Sequence, residues 1–177
     1  SQVGDKRYQH FLKILELDEE VDGNFSVNNL FQSIVLDEGN PKSIVSSVNL
    51  ARENARQVRE QISTETWMQI NQLYLMMKQP PLALYQQPQV FMQEMIRNFY
   101  LVGGITDATM SHNEGWQFIR LGRYMERSNS LIHLIDTHFQ AYNELDPSVE
   151  DYLDWVTLLR SCTAFEAYCN VYTANLQ

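Results

Sequence analysis

The stretch FIRLGRYMERSNSLIHLIDTHFQAY, running from Phe118 to Tyr142, decides the fold. In it Phe118, Leu121, Met125, Ser128, Ile132, Ile135, Phe139 and Tyr142 follow one another at alternating spacings of three and four. That period places every member on one edge of an α-helix. The spacing predicts a helix from about Asn113 to Asn143, roughly 45 Å long at 1.5 Å per residue, packed against its neighbours along that edge. On the same heptad Arg120, Arg123, Glu126 and Arg127 fall on the opposite side of the cylinder. Trp116 and Ile119 flank this charged stripe on one side, and Leu131 and Leu134 on the other. A purely solvated face has no need of such apolar brackets.

Working outward, the same helical period recurs on both sides. Asp146 as N-cap and Pro147 at the first helical position open a last helix whose seam is Tyr152, Trp155, Leu159, Cys162, Glu166, Cys169 and Thr173. Upstream, Asn40 and Pro41 read as the cap and first residue of a helix with its seam at Ile44, Val48, Ala51, Ala55, Val58 and Ile62. Ala51 and Ala55 on that seam leave room for a close helix neighbour. Ser63 or Thr64 recaps the chain before Trp67, Ile70, Tyr74 and Met77 continue the pattern. Pro80, Pro81 and Pro88 mark a connection, after which Phe91, Met95, Asn98 or Phe99, and Val102 give a further helix. That helix is weakened by Gly103 and Gly104, a pair that signals close packing or a kink. Near the start, Tyr8, Phe11, Leu12 and Leu15 are helically spaced, Asp18 to Asn24 breaks the pattern, and a short helix follows from Ser26 with Leu30, Phe31 and Ile34 inward. No Val-, Ile- or Thr-rich run alternates with period two. The expectation is an all-α, up-and-down multi-helix bundle with two long helices near the C-terminus, residues 1–177 forming a single domain.

A chain of 177 residues is long enough to bury a core without metals or disulfides. Its net charge of -9 argues against a nucleic-acid partner, because phosphate binding draws on clustered Lys and Arg. No apolar run approaches the roughly 18 residues needed to cross a bilayer, so no membrane span is expected. Cys162 and Cys169, on one helix, would stand about 10 Å apart, too far for a disulfide, and read as two small buried thiols. With no secretory signal, this points to a reducing compartment. Ser1 stands where an initiator Met would, which suggests a processed or truncated chain.

Chemistry-bearing residues gather in two places: Arg120, Arg123, Glu126 and Arg127 on the long helix, and Arg52, Glu53, Arg56, Arg59 and Glu60 on the Ile44 to Ile62 helix. Three readings stand open. The residues can be solvated i,i+3 and i,i+4 pairs. They can be an interhelical network with Arg160 and Glu166 as further members, for which the planar guanidinium fork is suited. Or Arg120, Arg123 and Arg127 can hold an anionic peptide or amino acid, with Glu126 or Glu53 as general base. No Glu-x-x-His pair of a di-iron bundle occurs, and His133 and His138, five apart, point in different directions on a helix. No metal and no cofactor are expected.

The segment Gly115-Trp116-Gln117-Phe118-Ile119-Arg120-Leu121-Gly122-Arg123-Tyr124-Met125-Glu126-Arg127 resembles the namesake motif of the alpha-E domain family, helical bacterial proteins named for a Glu-Arg pair, here Glu126-Arg127. The resemblance extends to Asn40-Pro41, Ser43-Ile44, Ala51 to Arg56, Val58-Arg59-Glu60, Trp67, Ile70-Asn71, Leu73-Tyr74, Leu158 to Ser161 and Glu166-Ala167-Tyr168. The family's opening helix, with its own Arg-Tyr-x-Glu-Arg copy, has no match before Tyr8, and its tail has none either. The resemblance implies a cytoplasmic accessory protein that acts beside ATP-grasp ligases and transglutaminase-like peptidases in peptide or amide ligation. It implies no catalytic residue, and it directs attention to Arg123, Glu126 and Arg127, then to Arg52, Glu53 and Arg56.

Overall fold

The computed structural model describes residues 27–80, 87–143 and 150–173. Among them lie seven α-helices and no strand: α1 (Val27–Val35), α2 (Ile44–Gln57), α3 (Thr64–Lys78), α4 (Pro88–Thr109), α5 (Glu114–Asn143), α6 (Glu150–Ser161) and α7 (Phe165–Thr173). A short 3-10 turn, Arg59–Gln61, joins α2 to α3. The all-α bundle expected from the periodicity is what forms. The expected helix over 5–17 and the cap at Asp146 and Pro147 lie outside the described residues. The described residues group into two compact units that divide between Leu121 and Gly122, within α5.

In the unit that ends at Leu121, α2 packs on α3, α3 on α4, and α1 on α2. Their core is Val35, Val45, Val48, Leu73, Met77, Phe91 and Met95. Phe31 meets Phe91 edge to face at 6.4 Å, the arrangement aromatic quadrupoles prefer. The capping differs from expectation at α2. Ser43, not Asn40, caps it, accepting the Ser46 N–H. Asn40 is drawn into the preceding turn, where it accepts the Lys42 N–H and donates to the Ser33 carbonyl. Ser63 does recap the chain, for α3, accepting the Thr66 N–H. Pro88 takes the first position of α4, where its missing N–H costs nothing.

The buried face of α2 is rotated from the expected seam. Val45, Val48 and Ala55 are buried, whereas Ala51 and Val58 are exposed, so no close approach occurs at Ala51. Half-buried Arg52 occupies the edge gained by this rotation, and half-buried Arg59 follows in the 3-10 turn. The α3–α4 interface is more polar than apolar spacing could reveal. Ser63 Oγ lies 2.7 Å from Thr109 Oγ1, buried Thr66 Oγ1 lies 3.4 Å from Thr106 Oγ1, and Gln69 donates to Asn98 at 3.1 Å. Helix α4 continues without a break through Gly103 and Gly104. A Cβ at Gly104 would meet nothing within 4 Å, so close packing is not its role.

Helix α5 has the expected length, but the covered edge is not the expected one. Phe118, Leu121, Met125, Ile132, Ile135 and Phe139 are between 40% and 69% exposed. Trp116 and Thr137 are buried, and Arg120, Leu131, Leu134 and His138 are half-buried. Three-four spacing identifies residues that share an edge; it does not say which edge acquires a neighbour. The bracketing Trp116, Leu131 and Leu134 offer a second apolar edge, and that edge is the one enclosed.

In the unit that begins at Gly122, α6 packs on α7, and Trp155 of α6 meets His138 and Phe139 of α5 at ring-centroid distances of 4.7 and 5.4 Å. The last helix, expected to be continuous, is broken between α6 and α7. Thr163 sits at φ 54, with its N–H bonded to the Arg160 carbonyl and that of Ala164 to the Leu159 carbonyl. This is a Schellman C-cap, whose left-handed residue is usually Gly. A threonine there gives no warning in the sequence. Cys162 and Cys169 therefore lie on either side of a break, and both are free and half-buried.

Candidate functional site

The described side chains best prepared for recognition lie between α2 and α3. Arg52 reaches across from α2, donates its Nε–H to Asn71 Oδ1 at 2.9 Å, and lays its guanidinium 4.2 Å from the Tyr74 ring centroid and 5.7 Å from that of Trp67. Arg59, in the 3-10 turn, stands 5.8 Å from the same Trp67 ring and donates to the Ile62 carbonyl and Thr64 hydroxyl. Lys78 Nζ lies 5.8 Å from Tyr74 and 3.0 Å from Glu38. The cause is local: Trp67 and Tyr74 are seven apart on α3 and share a face, and rotation of α2 turns Arg52 onto it. Cation–π contacts of this kind contribute about 0.5–1 kcal/mol at exposed sites.

Beside them Glu53 and Arg56 form a two-bonded pair on the exposed side of α2, at 2.6 and 3.0 Å. The Arg56 hydrogen bond, helped by Gln57 and by the charges of Arg56 and Arg52 against some desolvation, holds the Glu53 carboxyl below the ordinary value of 4.5. Arg56 is raised in turn by Glu53, and Lys78 is raised by its bond to Glu38.

On α5, Arg120 stands 4.5 Å over the Trp116 ring. That indole is stacked on His112 at 3.9 Å and donates to Asp107 at 3.1 Å. Arg123, Glu126 and Arg127 are exposed. Arg123 lies over Tyr124 at 5.7 Å, and Arg127 donates to the Thr163 hydroxyl. Arg160 stacks 4.8 Å from Phe165, and Glu166 is exposed in the first turn of α7. Among the described residues neither Glu126 nor Glu166 enters an ion pair. Within this unit Arg127 to Thr163 is a cross-helix contact of the arginine face, and Arg160 and Glu166 form no ion pair there. Val58, Gln61, Ile62, Met110, Gly115, Phe118 and Ile119 line an apolar groove of about 420 Å³.

The match that decides the family spans nearly the whole chain: residues 2–177 fit the model of Alpha-E, described as a predicted alpha-helical domain with a conserved ER motif. The chain belongs to the Alpha-E family. Uncharacterised proteins of Mycobacterium bovis and Mycobacterium tuberculosis are each 26% identical to it over 133 residues, which is 72% of this chain and 15% of the relative. The chain thus spans about 15% of the length of the curated relatives it matches. No solved structure matches it. Among the described residues no helix is long and apolar enough to cross a membrane, and no His, Cys, Asp and Glu cluster is placed to hold a metal. Glu126-Arg127, the Glu-Arg pair of this Alpha-E chain, is exposed on α5, with Arg127 reaching Thr163. Arg52, Arg59, Trp67, Asn71 and Tyr74, which carried the resemblance to Alpha-E in scattered segments, are gathered by the fold into one cluster. Apolar periodicity alone could not find that cluster, because Trp67 and Tyr74 read as seam positions and the seam says nothing of polar Asn71.

Proposed function

We propose that this Alpha-E chain is a non-catalytic helical accessory module that docks an ATP-grasp ligase or transglutaminase-like peptidase through α5. The observation that carries the reading is the exposed seam of Met125, Ile132, Ile135 and Phe139 in the unit that begins at Gly122. Contiguous apolar stripes of this kind mark interaction surfaces. Covering four such side chains, at roughly 100 Å² each, contributes on the order of 10 kcal/mol before association costs. Arg123, Glu126 and Arg127 lie on the opposite side of the same rod and do not border this seam. The partner class comes from the family resemblance, and the small share of the mycobacterial relatives that is matched fits a module serving a larger assembly.

Size-exclusion chromatography and pull-down with an ATP-grasp ligase encoded beside the gene test it directly. A co-eluting complex is expected, weakened at least tenfold by Ile132→Glu and little changed by Arg123→Ala on the opposite side of α5. Absence of association, or association indifferent to Ile132→Glu, removes the proposal.

A further inference from the structure

Arg52 is held in an unusual way for a residue joining two helices. Its Nε–H is committed to Asn71, its flat face to Tyr74 and, at longer range, to Trp67. Its two terminal nitrogens are neither buried nor bonded, and among the described residues no carboxylate forms an ion pair with it. The nearest sequence candidate, Glu53, has both oxygens occupied by Arg56. A bridge serving only to tie α2 to α3 would leave this fork unused. A guanidinium fixed at its Nε edge and on one face has already lost most of its side-chain freedom, and presents two parallel N–H donors in the geometry that a carboxylate accepts.

We propose that Arg52, positioned by Asn71 and Tyr74, is a recognition site for a single carboxylate, with Arg59 across the Trp67 ring as the supporting cation. The ligand class is a carboxylate borne by an acidic peptide side chain or by a free amino acid. One open fork beside a neutralised Glu53–Arg56 pair matches a planar monoanion, whereas a phosphate dianion calls for more uncompensated charge. The site lies on α2 and α3 and does not depend on the docking role of α5, so the two proposals succeed or fail separately.

The full chain, labelled with 15N, is titrated with the capped peptide acetyl-Gly-Glu-Gly-amide, its Gln counterpart, free glutamate and inorganic phosphate. The acidic peptide is expected to give saturable shifts at the Arg52 Nε–Hε and Trp67 indole signals, and the Gln peptide none. Arg52→Lys, which keeps the charge and loses the fork, is expected to weaken binding at least tenfold. Asn71→Ala weakens it severalfold, and Arg97→Lys on α4 leaves it unchanged. Circular dichroism and thermal unfolding of each variant separate lost binding from lost folding. Response to free glutamate alone reassigns the source from peptide to amino acid within the same chemistry. Equal response to the Gln peptide, stronger response to phosphate, no shift at Arg52, or full affinity in Arg52→Lys overturns the site.

Discussion

Thr163 shows how much one residue can hold. A β-branched side chain at φ 54 is strained, and the strain persists where surrounding contacts over-determine the position. Here those contacts are the two bonds of the Schellman cap and the hydroxyl that accepts from Arg127. Thr163→Gly is expected to raise unfolding stability by about 1 kcal/mol, read by urea or thermal unfolding, because relief of strain exceeds one exposed hydrogen bond. A loss of stability would mean that the Arg127 contact outweighs the backbone. Glu53 gives the pH counterpart. Its carboxyl is depressed by Arg56, so the pair's stabilisation is complete above the ordinary Glu value and is lost as pH falls through the lowered folded one. In an NMR titration Glu53 should therefore protonate below 4.5, and Arg56→Gln should move its midpoint upward. The pair is exposed, so the effect on overall stability is small. Neither Thr163's backbone nor Asn71's hold on Arg52 was legible in the sequence. A left-handed threonine carries no composition signal, and the Asn71 contact joins residues 19 apart on two different helices.

At the scale of elements, helix existence and length followed closely from spacing, and helix orientation did not. Helix α5 begins one residue from its expected start and ends at the expected Asn143, because local hydrogen bonding and propensity act within the segment. The enclosed edge was reversed on α5 and rotated on α2, because that choice depends on the neighbours. Cap placement moved from Asn40 to Ser43, where two good capping residues competed within four positions. The glycines of α4 and α5 give a test at this scale. A Cβ at Gly104 or at Gly122 would meet nothing within 4 Å, and both lie in helix interiors. Gly104→Ala and Gly122→Ala are each expected to stabilise by about 0.5–1 kcal/mol, additively in the double variant since the sites share no neighbour. A destabilising result at either position would reveal a partner surface that needs the missing Cβ.

For the molecule as a whole, net charge -9 and an exposed apolar seam pull in different directions: the charge keeps copies apart, and the seam favours contact with a partner. If α5 docks its partner through the seam, raising salt from 0.05 to 0.5 M, about a threefold shortening of the Debye length, should change affinity far less than Ile132→Glu does. Steep salt dependence would instead assign the binding to Arg123 and Arg127. The amino-acid sequence by itself determined the all-α class, the helix segments and membership of a family named for a Glu-Arg pair, because periodicity, caps and motif spacing are local properties carried by the chain. Only the tertiary structure decided which edge of α5 is covered and that Arg52, Arg59, Trp67, Asn71 and Tyr74 form one cluster. Those outcomes depend on how helices rotate against one another, and the rotation is set by the summed packing of distant residues.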